Sequence, residues 1–257
     1  MIEHVQHGSS RLSFNLYPLT FRVHPLTFPL HPLASLLPLT FTLYTLTFCC
    51  VPVTHAEEYS LVSHYSARLF SSGTLVIDAR VGDLQIEGWD EPRVEVEAEK
   101  VVRASSEAKA KPLYDQIQVR LEGGDKEVRL TTIYPPRRLW SPFRNESKLT
   151  VNFRIRMPFD SNLKLKCVDG DVRVAGIVGH EELRVNYGDV EIDVPHLYDL
   201  RSLRAHAWLG YVQSDLGGLD QDAAGLKKTI SFWNSDGKQD IEIKVRMGGV
   251  FIYREGD

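Results

Sequence analysis

The chain has 257 residues, 43% of them hydrophobic, with 34 acids, 30 strong bases and three cysteines. That length suffices for one domain with a sizeable core. The formal charge of −4 argues against nucleic acid as a partner, which calls for a basic face, and there is no polybasic membrane-surface signal.

Charge is unevenly spread. Residues 1–56 carry one acid (Glu3) and two strong bases (Arg11, Arg22), so residues 57–257 hold 33 acids and 28 bases. The N-terminal stretch is of low complexity: Pro-Leu-Thr-Phe occurs at 18–21, 25–28 and 38–41, and Thr-Leu-Thr-Phe at 45–48. Its recurring prolines would break a helix. Residues 33–53 contain no charge and lead to Val53-Thr54-His55-Ala56, then Glu57-Glu58. An apolar run that meets a small-residue site and turns acidic predicts a secretory signal cleaved after Ala56. An uncleaved membrane anchor over 33–53 is the alternative, since that run is long enough to span a bilayer. Phe48 before Cys49 argues against a lipoprotein. The predicted organisation is therefore 1–56 as an extension bearing the signal, and 57–257 as the exported domain. Cys167 is then the one cysteine of that domain, so no internal disulfide forms, and it reads as a small buried hydrophobe.

From Glu57 onward the pattern has period two. Residues 74–81 are followed directly by Gly82-Asp83-Leu84-Gln85-Ile86-Glu87-Gly88-Trp89, and then by Arg93-Val94-Glu95-Val96-Glu97-Ala98. Such alternation predicts strands with one face buried and one wet. Residues 105–116, rich in helix formers and opened by a serine cap, predict a short helix bent or begun near Pro112. Strands near 117–122 and 127–133 are expected, joined by a turn at Gly123-Gly124-Asp125. A Pro/Arg/Trp loop spans 134–147, and strand pattern returns over 149–157.

The corners then repeat: Gly170-Asp171-Val172-Arg173-Val174, Gly188-Asp189-Val190-Glu191-Ile192, Leu209-Gly210-Tyr211-Val212-Gln213 and Gly248-Gly249-Val250-Phe251-Ile252, with Gly82-Asp83-Leu84 as an earlier copy. Successive glycines lie 18, 22 and 38 residues apart, and the last interval is close to two steps, with an imperfect corner expected near residues 229–232. A period of about 20 residues predicts an all-β, β-solenoid or β-helix-like stack of short strands, each rung burying its apolar face on its neighbours. The short helix belongs to an N-terminal insertion in that stack.

These corners, the strand ending in Met157-Pro158, and the closing Asp240-Ile241-Glu242-Ile243-Lys244-Val245 before Gly248-Gly249-Val250 resemble the bacterial putative-adhesin domain family over residues 72–254. The resemblance implies an exported β-solenoid-like domain, and it brings no catalytic residues with it.

No catalytic, cofactor or metal site is expected. The corner aspartates Asp83, Asp171 and Asp189 supply one acid each, too few for calcium at any one corner, and read as turn caps. His64, His180, His196 and His206 form no zinc-type spacing. The most function-like stretch is the loop holding Arg137, Arg138, Trp140, Phe143 and Arg144, since arginine and aromatic side chains dominate binding hot spots; capping of the stack is the competing role for its apolar members. Trp208, Tyr211, Phe232 and Trp233 could form a sugar-binding face, though rung packing is the default expectation. The function expected is a non-enzymatic cell-envelope or surface protein, a binding scaffold for a protein or an envelope glycan. A periplasmic partner in envelope-stress or membrane regulation, and a cryptic polysaccharide hydrolase, are the alternatives. The hydrolase requires a cleft with clustered carboxylates of perturbed pKa.

Overall fold

A computed structural model describes residues 57–134, 149–195 and 197–254. Along the chain these form β1 (Glu57–Val81), β2 (Leu84–Trp89), β3 (Arg93–Ala104), α1 (Glu107–Tyr114), β4 (Gln118–Ile133), β5 (Leu149–Pro158), β6 (Asn162–Asp169), β7 (Val172–Ala175), β8 (Glu181–Tyr187), β9 (Val190–Val194), β10 (Leu200–Ser214), β11 (Asp220–Ala224), β12 (Lys227–Trp233) and β13 (Gln239–Arg254). The helix falls inside the predicted 105–116 window and runs through Pro112.

The expected open β-solenoid is corrected by the pairing. The hydrogen-bonded path β1-β3-β5-β2-β7-β9-β13-β8-β6 returns to β1, closing a nine-stranded β-barrel. Two long strands that bend make the closure. The first half of β1 pairs antiparallel with β3, from Glu57 opposite Ala104 to Arg68 opposite Arg93. Its second half pairs parallel with β6, from Thr74 opposite Asn162. In β13, residues 241–247 pair with β8 and residues 250–254 with β9. Antiparallel pairing of β3 with β5 completes the ring, and no corner motif marks that pairing.

The expected turn at residues 123–125 lies within β4: Gly123 and Asp125 have positive φ, a Cβ on Gly123 would lie 2.3 Å from the Glu127 carbonyl oxygen, and residues 125–131 run parallel to β1. One further expectation changes. The imperfect corner near 229–232 is instead the middle of β12, which pairs antiparallel with β10 and with β11.

The Gly-Asp corners themselves lie side by side. Parallel pairing puts Leu84 beside Val172, Val172 beside Val190, Val190 beside Val250 and Val250 beside Val212. On the other side of the corner, Ile77, Leu165, Leu183, Ile243 and Ala205 form an equivalent inward row. All five are buried. Glycine is required where the corners touch. Gly170 has φ +151°, and a Cβ there would lie 2.0 Å from the Gly82 carbonyl oxygen; Gly188, at φ +128°, would meet the Gly170 oxygen at 2.2 Å. Any larger residue would push neighbouring corners apart.

Candidate functional site

The corner aspartates bond sideways, to the next corner. Asp83 Oδ1 accepts from the Asp171 amide at 3.0 Å, Asp171 Oδ1 from the Asp189 amide at 2.8 Å, and Asp189 Oδ1 from the Gly249 amide at 2.6 Å. At the start of the row, Asn152 Oδ1 accepts from the Asp83 amide at 3.2 Å. One oxygen of each of the three aspartates is thus committed to holding the neighbouring turn. Among the described residues no cluster of three or more His, Cys, Asp or Glu could hold a metal ion. Cys167 is buried, and burial pushes its thiol up to about 11, which leaves it protonated and unreactive.

A second side-chain ladder crosses the opposite ends of the parallel strands. Asn162 Oδ1 accepts from the His180 amide at 2.9 Å, and His180 Nδ1 accepts from the Asp240 amide at 3.1 Å. Asp240 in turn accepts from Ser202 Oγ at 2.7 Å and forms an ion pair with Arg201. These residues edge a cleft of about 760 Å³ on the outer surface, bounded by β6, β8, β13 and β10 and by β12 with Asp220 of β11. Lys164, Glu182, Glu242 and Arg204 point into it, and Trp233 lines its rim.

The aromatic residues depart from the rung-packing expectation. Trp233 is 71% exposed, Trp208 64% and Tyr211 50%; only Phe232 packs against the core. Tyr211 meets Phe251 edge-on at 5.3 Å, and Phe251 stacks on Tyr253 at 6.4 Å, along β10 and β13. Exposed tryptophan beside hydroxyl, amide and charged side chains can stack on a sugar ring while the polar groups bond its hydroxyls. Arg137, Arg138, Trp140, Phe143 and Arg144 lie outside the described residues, as does His196.

The cleft also holds carboxylates, which bears on hydrolysis. Glu181 occupies an inward position between Leu163 and Ile241, is 3% exposed, and burial raises its pKa to about 8. Its carboxyl group faces the interior, with Oε1 accepting from Gln239 Nε2 at 3.1 Å and Oε2 buried without a partner. It cannot reach a substrate on the outer surface. Glu242 faces outward, but the hydrogen bond from Lys244 lowers its pKa, the wrong direction for a general acid. Neither Glu181, turned inward, nor Glu242, with its lowered pKa, is set up as a general acid for a substrate in the cleft. The sequence carried a signal for Glu181: alternation along Glu181-Glu182-Leu183-Arg184-Val185 gives it the inward parity of Leu183 and Val185.

Among the described residues no helix is long and apolar enough to cross a membrane. No family model matches the chain, and no curated protein does. Solved structures do. A putative cell adhesion protein from Clostridium sporogenes is similar at 16% identity and TM-score 0.47, covering 77% of this chain and 100% of that one. A putative lipid binding protein from Parabacteroides distasonis is similar at 10% identity and TM-score 0.25, covering 77% and 80%. A putative adhesin from Bacteroides fragilis is similar at 10% identity and TM-score 0.23, covering 76% and 97%. Proteins named as adhesins thus stand among the structural neighbours, as the sequence resemblance led one to expect.

Proposed function

We propose that this protein is a non-enzymatic binding protein of the cell envelope or surface, and that it holds a glycan in the cleft edged by Trp233. The single observation behind this reading is the exposure of Trp233 over a cleft floored by hydrogen-bonding side chains. A buried tryptophan would speak only of packing; one that is 71% exposed leaves apolar area in water, which a sugar face can cover. In the proposal, residues 1–56 direct export with cleavage after Ala56, and residues 57–257 are the mature domain. Mass spectrometry of the secreted N-terminus tests the cleavage.

The binding test is a glycan array probed with the full chain and with Trp233→Ala. Retention of a defined glycan by the wild type and its loss in the variant supports the reading; retention of none, or equal binding by both, overturns it. Incubation of any retained oligosaccharide with the protein separates binding from hydrolysis, because the binding reading expects the oligosaccharide back at its original length. The loop with Arg137, Arg138 and Trp140 is a second proposed contact, tested by its triple alanine variant in affinity capture from envelope extract.

A further inference from the structure

The outer surface next to the cleft carries an arrangement that folding alone does not favour. Parallel register sets Lys166 beside Arg184, Arg184 beside Lys244, and Lys244 beside His206, one on each of β6, β8, β13 and β10, and the row ends at Asp78 of β1, on the other side of Lys166. Like charges directly opposite on neighbouring strands destabilise a sheet. Around the β3-β5-β2-β7-β9 part of the barrel most outward bases are paired with acids, Arg156 with Glu95 at 2.7 Å, Arg154 with Glu97 at 3.5 Å and Arg173 with Glu191 at 3.5 Å, and Arg68 opposite Arg93 is a single like-charge pair there. Behind the basic row, Glu182 and Glu242 are each taken up by the base two residues on, Arg184 and Lys244. Lys166 and Arg246 have no ion partner among the described residues. Basic neighbours also help lower the pKa of His206, after burial. All this stands on a domain whose acids outnumber its bases, 33 to 28.

We propose that this row is a binding site for an acidic polysaccharide with one carboxylate per sugar ring, lying across the strands. Neighbouring strands are about 4.8 Å apart, comparable to the length of one sugar ring, so the charge repeat of such a polymer is close to the spacing of the row. A polymer in that position also passes Trp208. That residue lies between the pairs Ala207 with Val245 and Leu209 with Met247, which puts it level with Arg246, and its exposed ring offers a stacking platform at the end of the row. The row adjoins the Trp233 cleft through Glu182 and Glu242, but it takes charge where the cleft takes ring faces and hydroxyls.

The test uses the full chain and immobilised oligogalacturonate, with its methyl ester as the uncharged counterpart on the same backbone. Expected are saturable binding of the acid form, at least tenfold weaker binding of the ester, and weakening as sodium chloride rises. Lys166→Gln with Lys244→Gln should cost about tenfold in affinity for the acid form, while the denaturation midpoint does not fall and rises if the like charges repel in the folded sheet. Glu182→Gln with Glu242→Gln should strengthen it. Equal binding of acid and ester, or indifference to Lys166→Gln with Lys244→Gln, overturns the proposal. So does binding of inorganic polyphosphate or phosphatidylserine vesicles as tight as that of oligogalacturonate. Trp233→Ala should leave oligogalacturonate binding unchanged, so this inference and the cleft reading fail separately.

Discussion

Glu181 and Gln239 meet inside the barrel, where Gln239 Nε2 donates to Glu181 Oε1 at 3.1 Å and to the Ile177 carbonyl at 3.0 Å. The carboxyl group stands in a row with Leu163 and Ile241, and burial raises its pKa from 4.5 to about 8. The folded protein therefore keeps a proton that the unfolded chain releases. Stability should be fullest below about pH 4.5 and decline as pH rises towards 8, where the ionised carboxylate bears its burial cost. Glu181→Gln, neutral at every pH, should remove this decline. Urea denaturation across pH should show the variant more stable by roughly 3 to 5 kcal/mol above pH 8 and unchanged near pH 4.5. Parallel pH profiles for variant and wild type would contradict it.

Gly170→Ala should destabilise by about 3 kcal/mol or more, since the new methyl must move the Gly82 carbonyl or strain a backbone at φ +151°. Gly217, where a Cβ meets nothing within 4 Å, is the control, and Gly217→Ala should stay within about 0.5 kcal/mol of wild type. Denaturant midpoints compare the two.

Asp171→Ala leaves the Asp189 amide without its acceptor at 2.8 Å and should cost about 1–2 kcal/mol. Asp171→Asn keeps a side-chain oxygen and should recover most of it. Neither calcium nor a chelator should shift the melting temperature of the wild type, since the corner acids act on backbone amides. A calcium-dependent rise would return the corners to metal chemistry.

The two tryptophans of opposite setting should separate in stability. Trp233→Ala should leave the denaturation midpoint within about 0.5 kcal/mol of wild type. Trp89 donates Nε1–H to the Arg93 carbonyl at 2.9 Å and lies under the guanidinium groups of Arg93 and Arg156, at 5.2 and 4.7 Å. Trp89→Ala should therefore cost about 1–3 kcal/mol. Equal stabilities would mean that exposure does not separate the packing ring from the binding one.

Much of the local structure was legible before any coordinates. Alternation in Arg93-Val94-Glu95-Val96 and in Leu163-Lys164-Leu165-Lys166 sorts inward from outward residues, because a strand has period two. Helix formers between Ser105 and Tyr114 mark α1. The Gly-Asp corners were legible as turns, and the aspartates as residues that cap backbone amides. Which amide each one caps was not, since its partner lies on another strand, 18 residues away for Asp171 and Asp189 and 88 for Asp83 and Asp171.

The sequence by itself determined the alternation, the corner residues, the all-β class and the parity that puts Lys166, Arg184 and Lys244 outside. These are local properties, set by side-chain period and by glycine's access to positive φ. Only the tertiary structure decided that β1 and β13 bend to close a nine-stranded barrel, that β12 returns antiparallel along β10, and that Trp208 and Trp233 remain exposed. Each of these depends on which distant strand supplies the hydrogen-bonding partner. Closure comes from the pairing of β3 with β5, where any two alternating strands of suitable length would look the same in sequence.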